Sequence, residues 1–154
     1  MNPYRVILEV LRAKSINFEE LEHEPVFTSE QAARARGLSI DAGAKSLLLK
    51  ANGKFVLVVM PGSKKLESKK LKLILGTKKL RFAAPEEVKE IMHCEIGACY
   101  PFGSIIGLDT YMDNSLKNQS KISFNPGLHH KSIMVKLSDY LSVENPKILD
   151  IAKD

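Results

Sequence analysis

"AKSLLLKANGKFVLVVMPG", residues 44 to 62, decides how this chain folds. Two apolar runs flank Asn52-Gly53. These two residues accept the left-handed backbone of a tight two-residue turn, so the stretch predicts a β-hairpin. The runs "SLLL" and "FVLVV" are nearly continuous in apolar residues instead of alternating. Strands of that kind are covered on both faces, which places the hairpin at the centre of a sheet with helices packed around it.

The flanking sequence supplies those other elements. Residues 3 to 14 carry Val6, Ile7, Val10 and Leu11 at helical spacing, with Arg5, Glu9 and Arg12 between them. This is an amphipathic helix and not a signal peptide. "NFEELEHEP" reads as an extended segment closed by Pro25. "TSEQAARARG" is a short helix, with Thr28 as N-cap, Gln31 three residues on and Gly37 as its stop. "LESKKLKLILG" predicts a helix that turns Leu71, Ile74 and Leu75 inward and ends at Gly76. "KKLRFAA" is a short strand. "PEEVKEIM" starts a helix on Pro85 with two acids in its first turn. "SIIGLDTYMD" reads as one or two strands with Gly107 as a bulge or bend. "KISFNPG" and "HKSIMVKL" are strands joined by the Asn125-Pro126-Gly127 turn. Ser138 and Asn145 are expected to cap two short final helices. The expected class is mixed α/β: one domain over residues 1–154, with a partly antiparallel sheet and flanking helices.

Composition narrows the function. The chain has 154 residues and a hydrophobic fraction of 44%, enough for one core. No apolar run approaches the ~20 residues of a membrane span, so a cytoplasmic protein without a membrane partner is expected. The two cysteines, Cys94 and Cys99, make neither a disulfide scaffold nor a zinc site. The net charge is +5 and unevenly spread. Residues 45 to 81 hold eleven basic residues against Glu67 alone, a local +10, while the remainder sums to −5. Such one-sidedness attracts polyanions, and nucleic acid is the expected partner.

Three features could carry chemistry. Lys45 stands immediately before the buried run, either as a functional cation or as a rim lysine whose stem covers apolar surface. "GACYPFG", residues 97 to 103, places Gly97 and Pro101 four apart. Glycine-rich turns let backbone N–H groups point outward together toward a carbonyl or an anion, though a plain connection has the same composition. Cys99 lies within that loop, but no base accompanies it in a Cys-His-Asn pattern. "NPGLHHK" carries the neighbours His129 and His130, of which at most one faces a given pocket. The histidines show no helix-spaced pair, so no metal is expected.

The order of these features resembles the YbaK and prolyl-tRNA-synthetase-associated editing family. The likeness runs from "EHEPVFTSEQAARARG" to "HHKSIMVKLSDYL". It comprises His23, Pro25 and Thr28, then Lys45, "VLVVMPG", "AAPEEV", Gly97 with Pro101, "GLDTYMDNSL" with Asp113, and Gly127 with His129. The resemblance implies hydrolysis of the ester that joins an amino acid to the terminal ribose of tRNA, without a cofactor. The expected substrates carry small residues such as Ala or Cys, on tRNA(Pro). By the same resemblance, Lys45, Gly97 and Pro101 are the catalytic positions. Gly97 to Pro101 would offer backbone donors to the aminoacyl carbonyl, and Lys45 would contact the terminal phosphate or ribose. Thr28, Asp113, Gly127 and His129 would form the substrate pocket, and the attacking water would be helped by the ribose 2′-hydroxyl. Lys64, Lys65, Lys69 and Lys70 are the expected tRNA contacts, and a synthetase is a further possible partner. The rival reading is a non-catalytic RNA-binding or regulatory module that keeps the fold.

Overall fold

The computed structural model describes residues 1–154. The hairpin forms as expected: β2 (Ala44–Ala51) and β3 (Lys54–Pro61) pair antiparallel across Asn52-Gly53, both of which have positive φ. They sit inside a five-stranded sheet of order β4-β2-β3-β5-β8. Here β4 is Leu80–Phe82, β5 is Asp109–Asp113 and β8 is Lys147–Leu149. β4 joins β2 antiparallel, whereas β5 and β8 add in parallel on the other side. Residues 57–60 of β3 are wholly inaccessible, and separate apolar clusters cover the two faces of the sheet. The continuous apolar run therefore meant what it does in other doubly covered strands.

The remaining strands form a second, antiparallel sheet of order β1-β7-β6, from Glu19–Glu22, Lys131–Lys136 and Lys121–Phe124. The mixed α/β class holds, but its strands divide between two sheets. The larger core lies between them, where Leu48, Leu57 and Val59 meet Ile122, Phe124, Ile133 and Val135. α1 (Pro3–Ala13) closes this core with Ile7, Leu8 and Leu11, leaving Val6 and Val10 at its margin. An isolated bridge, Gly43 to Ser123, links the sheets beside the start of β2.

The helix signals at α2 (Ser29–Arg36) act as read. Thr28 Oγ1 accepts from Gln31 N at 3.1 Å, Gln31 Oε1 accepts from Phe27 N at 2.8 Å, and Gly37 ends the helix at φ 67°. In α3 (Ser68–Leu75), Leu71 is buried and Leu75 packs on the smaller core, but Ile74 is 47% exposed. α4 (Pro85–Met92) begins on its proline.

Three local expectations are corrected. Gly107 is no strand bulge; it ends a 3-10 turn over Gly103–Ile106 in the left-handed region, and only β5 follows. Ser138 lies inside α5 (Leu137–Glu144), whose N-cap is Lys136. Asn145 ends that helix, with φ 49°, instead of starting another. The chain then enters β8, because Pro146 bars helix continuation and the edge of β5 is open for pairing. No helix is long and apolar enough to cross a membrane.

Candidate active site

A cleft of about 310 Å³ opens along β2 where β4 does not cover it. β4 pairs only with residues 49–51 of β2, and Ala83 N donates to Leu48 O at 2.9 Å just beyond. Ala44, Lys45, Ser46 and Leu47 therefore have no β4 partner along this edge, and they line the cleft. Residues 26–36 from the start of α2 form one wall. Ile96, Gly97 and Cys99 from the glycine loop form another, and Asn125 closes the base.

Lys45 and Gly97 thus share one cleft. The Lys45 ammonium has no ion-pair or hydrogen-bond partner, and partial burial lowers its pKa. The Glu30 charge works against that shift, and the nearby Lys65 adds to it. A lysine held this way is ready to pair with an anionic or strongly accepting ligand group.

The glycine loop is held from outside the cleft. Tyr140 donates to Pro101 O at 2.7 Å, Tyr100 donates to Met92 O at 2.9 Å, and Gly127 N donates to Ala98 O at 3.0 Å. Ala98 N donates back to Glu95 O at 3.0 Å, which leaves the Gly97 and Cys99 N–H groups without any protein acceptor. Both belong to residues lining the cleft. Gly97 has φ 91°, and a Cβ there would lie 3.3 Å from His129 Cε1. This glycine is needed both for its backbone conformation and for the close approach of the histidine ring.

His129 bridges the two motifs. Its Nδ1–H donates to Val26 O at 3.0 Å, its ring lies 4.6 Å from that of Phe27, and its Nε2 stands 3.4 Å from the Glu95 carboxylate. His129 and Gly127 line a second, more open hollow of about 690 Å³ that abuts the first across Phe27. His130 and His93 lie in that hollow too, apart from the cleft.

The other expected residues are placed differently. Thr28 lines the cleft, with its hydroxyl already used as the cap of α2. Pro101 is buried and reaches the site only through the loop it anchors. Asp113 lines neither cleft. It is 1% exposed; Oδ1 accepts from Ile151 N and Ala152 N, each at 3.0 Å, and Oδ2 accepts from Ser115. Its work is to fasten the C-terminal segment to β5, which corrects its assignment to the substrate pocket. Lys64, Lys65 and Lys69 are exposed. Lys70 instead donates to Ala152 O at 2.8 Å and pairs with Asp154 and Asp150, so its charge is largely spoken for within the chain.

Two features had no clear sequence signal. Phe27, Phe82 and Ile96 line the cleft while 64%, 55% and 52% exposed, an apolar rim of the kind on which nucleic-acid bases stack. Arg36, at the end of α2, turns inward to the base of the cleft. Burial lowers its guanidinium to about 10. It read in sequence as one more surface cation at a helix C-terminus.

Cys99 is not arranged as a nucleophile. Its nearest polar partner is Cys94, whose thiol donates to it at 3.9 Å, and no histidine bonds either sulfur. That hydrogen bond and burial push the Cys94 thiol up. Cys99→Ser is expected to keep activity within about threefold, measured as single-turnover ester hydrolysis; a loss of several orders of magnitude with substrate binding intact would make Cys99 the nucleophile.

Comparison with known proteins identifies the family. The family model described as "Aminoacyl-tRNA editing domain" matches residues 23–143. The chain is 28% identical over 152 residues to the multifunctional Ser/Thr-tRNA deacylase ProXp-y of Escherichia coli (strain K12), covering 96% of this chain and 91% of that protein. It is 26% identical to the prolyl-tRNA editing protein ProX of Acetoanaerobium sticklandii, covering 90% and 88%. The crystal structure of a proposed trans-editing enzyme for prolyl tRNA synthetase superposes with a TM-score of 0.86 at 23% identity, over 100% of this chain and 99% of the other. With the family pattern matched over most of its length, and with the motif lysine and glycine loop brought into one cleft, the chain belongs to the aminoacyl-tRNA editing domain family.

Proposed function

We propose that this protein hydrolyses, in trans, the ester joining a small amino acid to the terminal ribose of a mischarged tRNA. The observation that carries the reading is the shared cleft. A cation without a partner, Lys45, and two unpaired backbone donors, Gly97 and Cys99, line a space sized for an aminoacyl-ribose. Lys45 pairs with the terminal phosphate or ribose. The loop N–H groups hold the ester carbonyl and the oxyanion that develops as water attacks it. Hydrolysis then releases the free amino acid and restores the terminal hydroxyl. An activated ester needs mainly positioning and charge stabilisation, which suits a site where no base is arranged to activate a side-chain nucleophile.

The terminal adenine stacks on the rim of Phe27, Phe82 and Ile96, while the acceptor stem meets Lys64 and Lys65 just beyond Gly62 at the cleft. Phosphate contacts of this kind position the substrate without reading its sequence. The acyl groups proposed are Ala, Cys, Ser and Thr; the last two are supported by the name of the Escherichia coli relative. tRNA(Pro) is the proposed carrier, and prolyl-tRNA synthetase is the first protein partner to test.

The decisive experiment is a deacylation panel. Purified protein is incubated with tRNA(Pro) and other tRNAs charged with Ala, Cys, Ser, Thr or Pro. Faster loss of one or more small noncognate residues than of Pro supports the proposal. Tight tRNA binding with no hydrolysis of any ester would make the protein an RNA-binding module on the same fold. For the basic approach, Lys64→Glu with Lys65→Glu is expected to weaken tRNA binding about tenfold near 0.1 M salt and to flatten its salt dependence by about two counterions. An unchanged slope places the acceptor stem elsewhere.

A further inference from the structure

The Asn125-Pro126-Gly127 turn does more than join two strands. The last pair between β6 and β7 is Phe124 with Ile133, and residues 125–130 lie between the two strands. Asn125 ties the turn together from within: its Nδ2 donates to Leu128 O at 2.9 Å. On the other side, Asn125 Oδ1 accepts from Arg36 Nη2 at 2.8 Å. A guanidinium only donates and a carbonyl only accepts, so these two partners fix which way the amide faces. Arg36 is itself anchored, through Nε to Ser132 Oγ at 2.8 Å and through Nη1 to Ser123 Oγ at 3.0 Å. α2 and the smaller sheet together hold one side chain, and that side chain holds the turn.

The turn then holds the glycine loop. Gly127 N donates to Ala98 O at 3.0 Å. That carbonyl belongs to the same planar peptide as the Cys99 N–H. The peptide is trans, so its C=O and N–H point in opposite directions. A bond that draws Ala98 O toward Gly127 therefore turns the Cys99 N–H the other way. This N–H is one of the two donors without a protein acceptor, on a residue that lines the cleft. A plane clamped at its carbonyl keeps the donor aimed before substrate arrives, so no reorganisation is needed when the oxyanion forms. The asparagine is a particular choice. Aspartate would give the Arg36 cation the counter-charge that none of its three neutral partners supplies, but it has no N–H for Leu128 O. An amide serves both neighbours.

We propose that Asn125, seated by Arg36, is a positioning residue for ester hydrolysis: through the Gly127–Ala98 bond it aims the Cys99 N–H at the reacting carbonyl. This rests on the deacylase reading above and adds to it a residue that acts without touching the substrate. Gly127 is the middle link, through its N–H.

The test takes the ester hydrolysed fastest in the panel above and uses the full chain. It measures the single-turnover rate, the Kd of the same tRNA carrying its amino acid through a stable 3′-amide, and the melting temperature. Asn125→Ala and Asn125→Asp are each expected to slow hydrolysis by about tenfold to a hundredfold, because the Cys99 donor is loosened and not removed. The Kd of the amide should stay within about threefold, since an interaction made in the transition state is what is lost. Asn125→Asp should melt no lower than wild type, because its charge pairs with Arg36; it decides the matter if Asn125→Ala fails to fold. A residue that only holds the fold would make rate follow stability, and the aspartate variant separates the two. An unchanged rate in folded Asn125→Asp overturns the proposal. A loss carried wholly by the amide Kd also overturns it, since Asn125 would then be a substrate contact. So does an Asn125→Asp that melts well below wild type, since the amide would then be holding the fold. Wild type inactive on every ester of the panel would instead reject the deacylase reading itself, and this proposal with it.

Discussion

Lys45→Ala is expected to remain folded and to lose aminoacyl-ester hydrolysis by about a hundredfold to a thousandfold, the cost of misplacing the ester once the cation that holds the terminal phosphate or ribose is gone. The two halves of this expectation have separate causes. Stability is spared because the ammonium makes no hydrogen bond or ion pair in the free protein and is penalised by its partial burial. Its removal sacrifices only the packing of the aliphatic stem, against which the desolvation penalty is relieved. Activity is lost because no other cation can take its place. Arg36 is tied to Ser123, Asn125 and Ser132, and Lys65 is exposed outside the cleft. Melting temperature and single-turnover hydrolysis should be measured on the same preparation. A folded variant with near-normal turnover would remove Lys45 from the site.

Gly97→Val should lower turnover per folded molecule by at least about a hundredfold, along with a loss of stability of about 2 kcal/mol. The stability cost follows from the backbone: φ is 91°, where a β-branched residue is strained. The catalytic cost follows from position. A Cβ at residue 97 would lie only 3.3 Å from His129 Cε1, and the methyl groups of valine would crowd that ring further. The loop then moves, the histidine leaves Val26 O, or both. Where the loop moves, its Gly97 and Cys99 N–H groups turn away from a bound carbonyl. Gly97→Ala should show the same pattern more mildly. Kinetics normalised to the folded fraction separate this outcome from a purely structural one. Unchanged turnover per folded molecule in Gly97→Val would mean that the loop is only a connection.

The candidate site was legible to the extent that its parts carry a backbone requirement. Lys45 is marked by the buried strand it opens, and Gly97 by a conformation that few residues adopt. Arg36 and Ser46 were not marked. An arginine in the last turn of a short helix and a serine in an apolar strand have common structural explanations. What distinguishes them is what surrounds them: three neutral partners for one and none for the other. Asp113 erred in the opposite direction. An acid within a family-like segment suggested a ligand contact, but two backbone N–H groups from residues 151 and 152 converge on it.

Local chemistry written in the sequence determined the hairpin at Asn52-Gly53, the caps at Thr28, Gly37 and Gly76, the start of α4 at Pro85 and the central position of β2 and β3. Each depends on a residue's own backbone preference or on a run of apolar side chains, and neighbours in sequence carry both. Tertiary structure alone decided that the strands divide into two sheets, that residues 147–149 extend β5 instead of forming a helix, and that Ile74 faces water. It also decided the site. β4 stops at residue 49 of its partner, and the edge left uncovered becomes part of the cleft that Lys45, Gly97 and Arg36 line. Such outcomes depend on which surfaces compete for burial and which backbone edges remain unpaired once the chain is assembled, and no short stretch of sequence contains that competition.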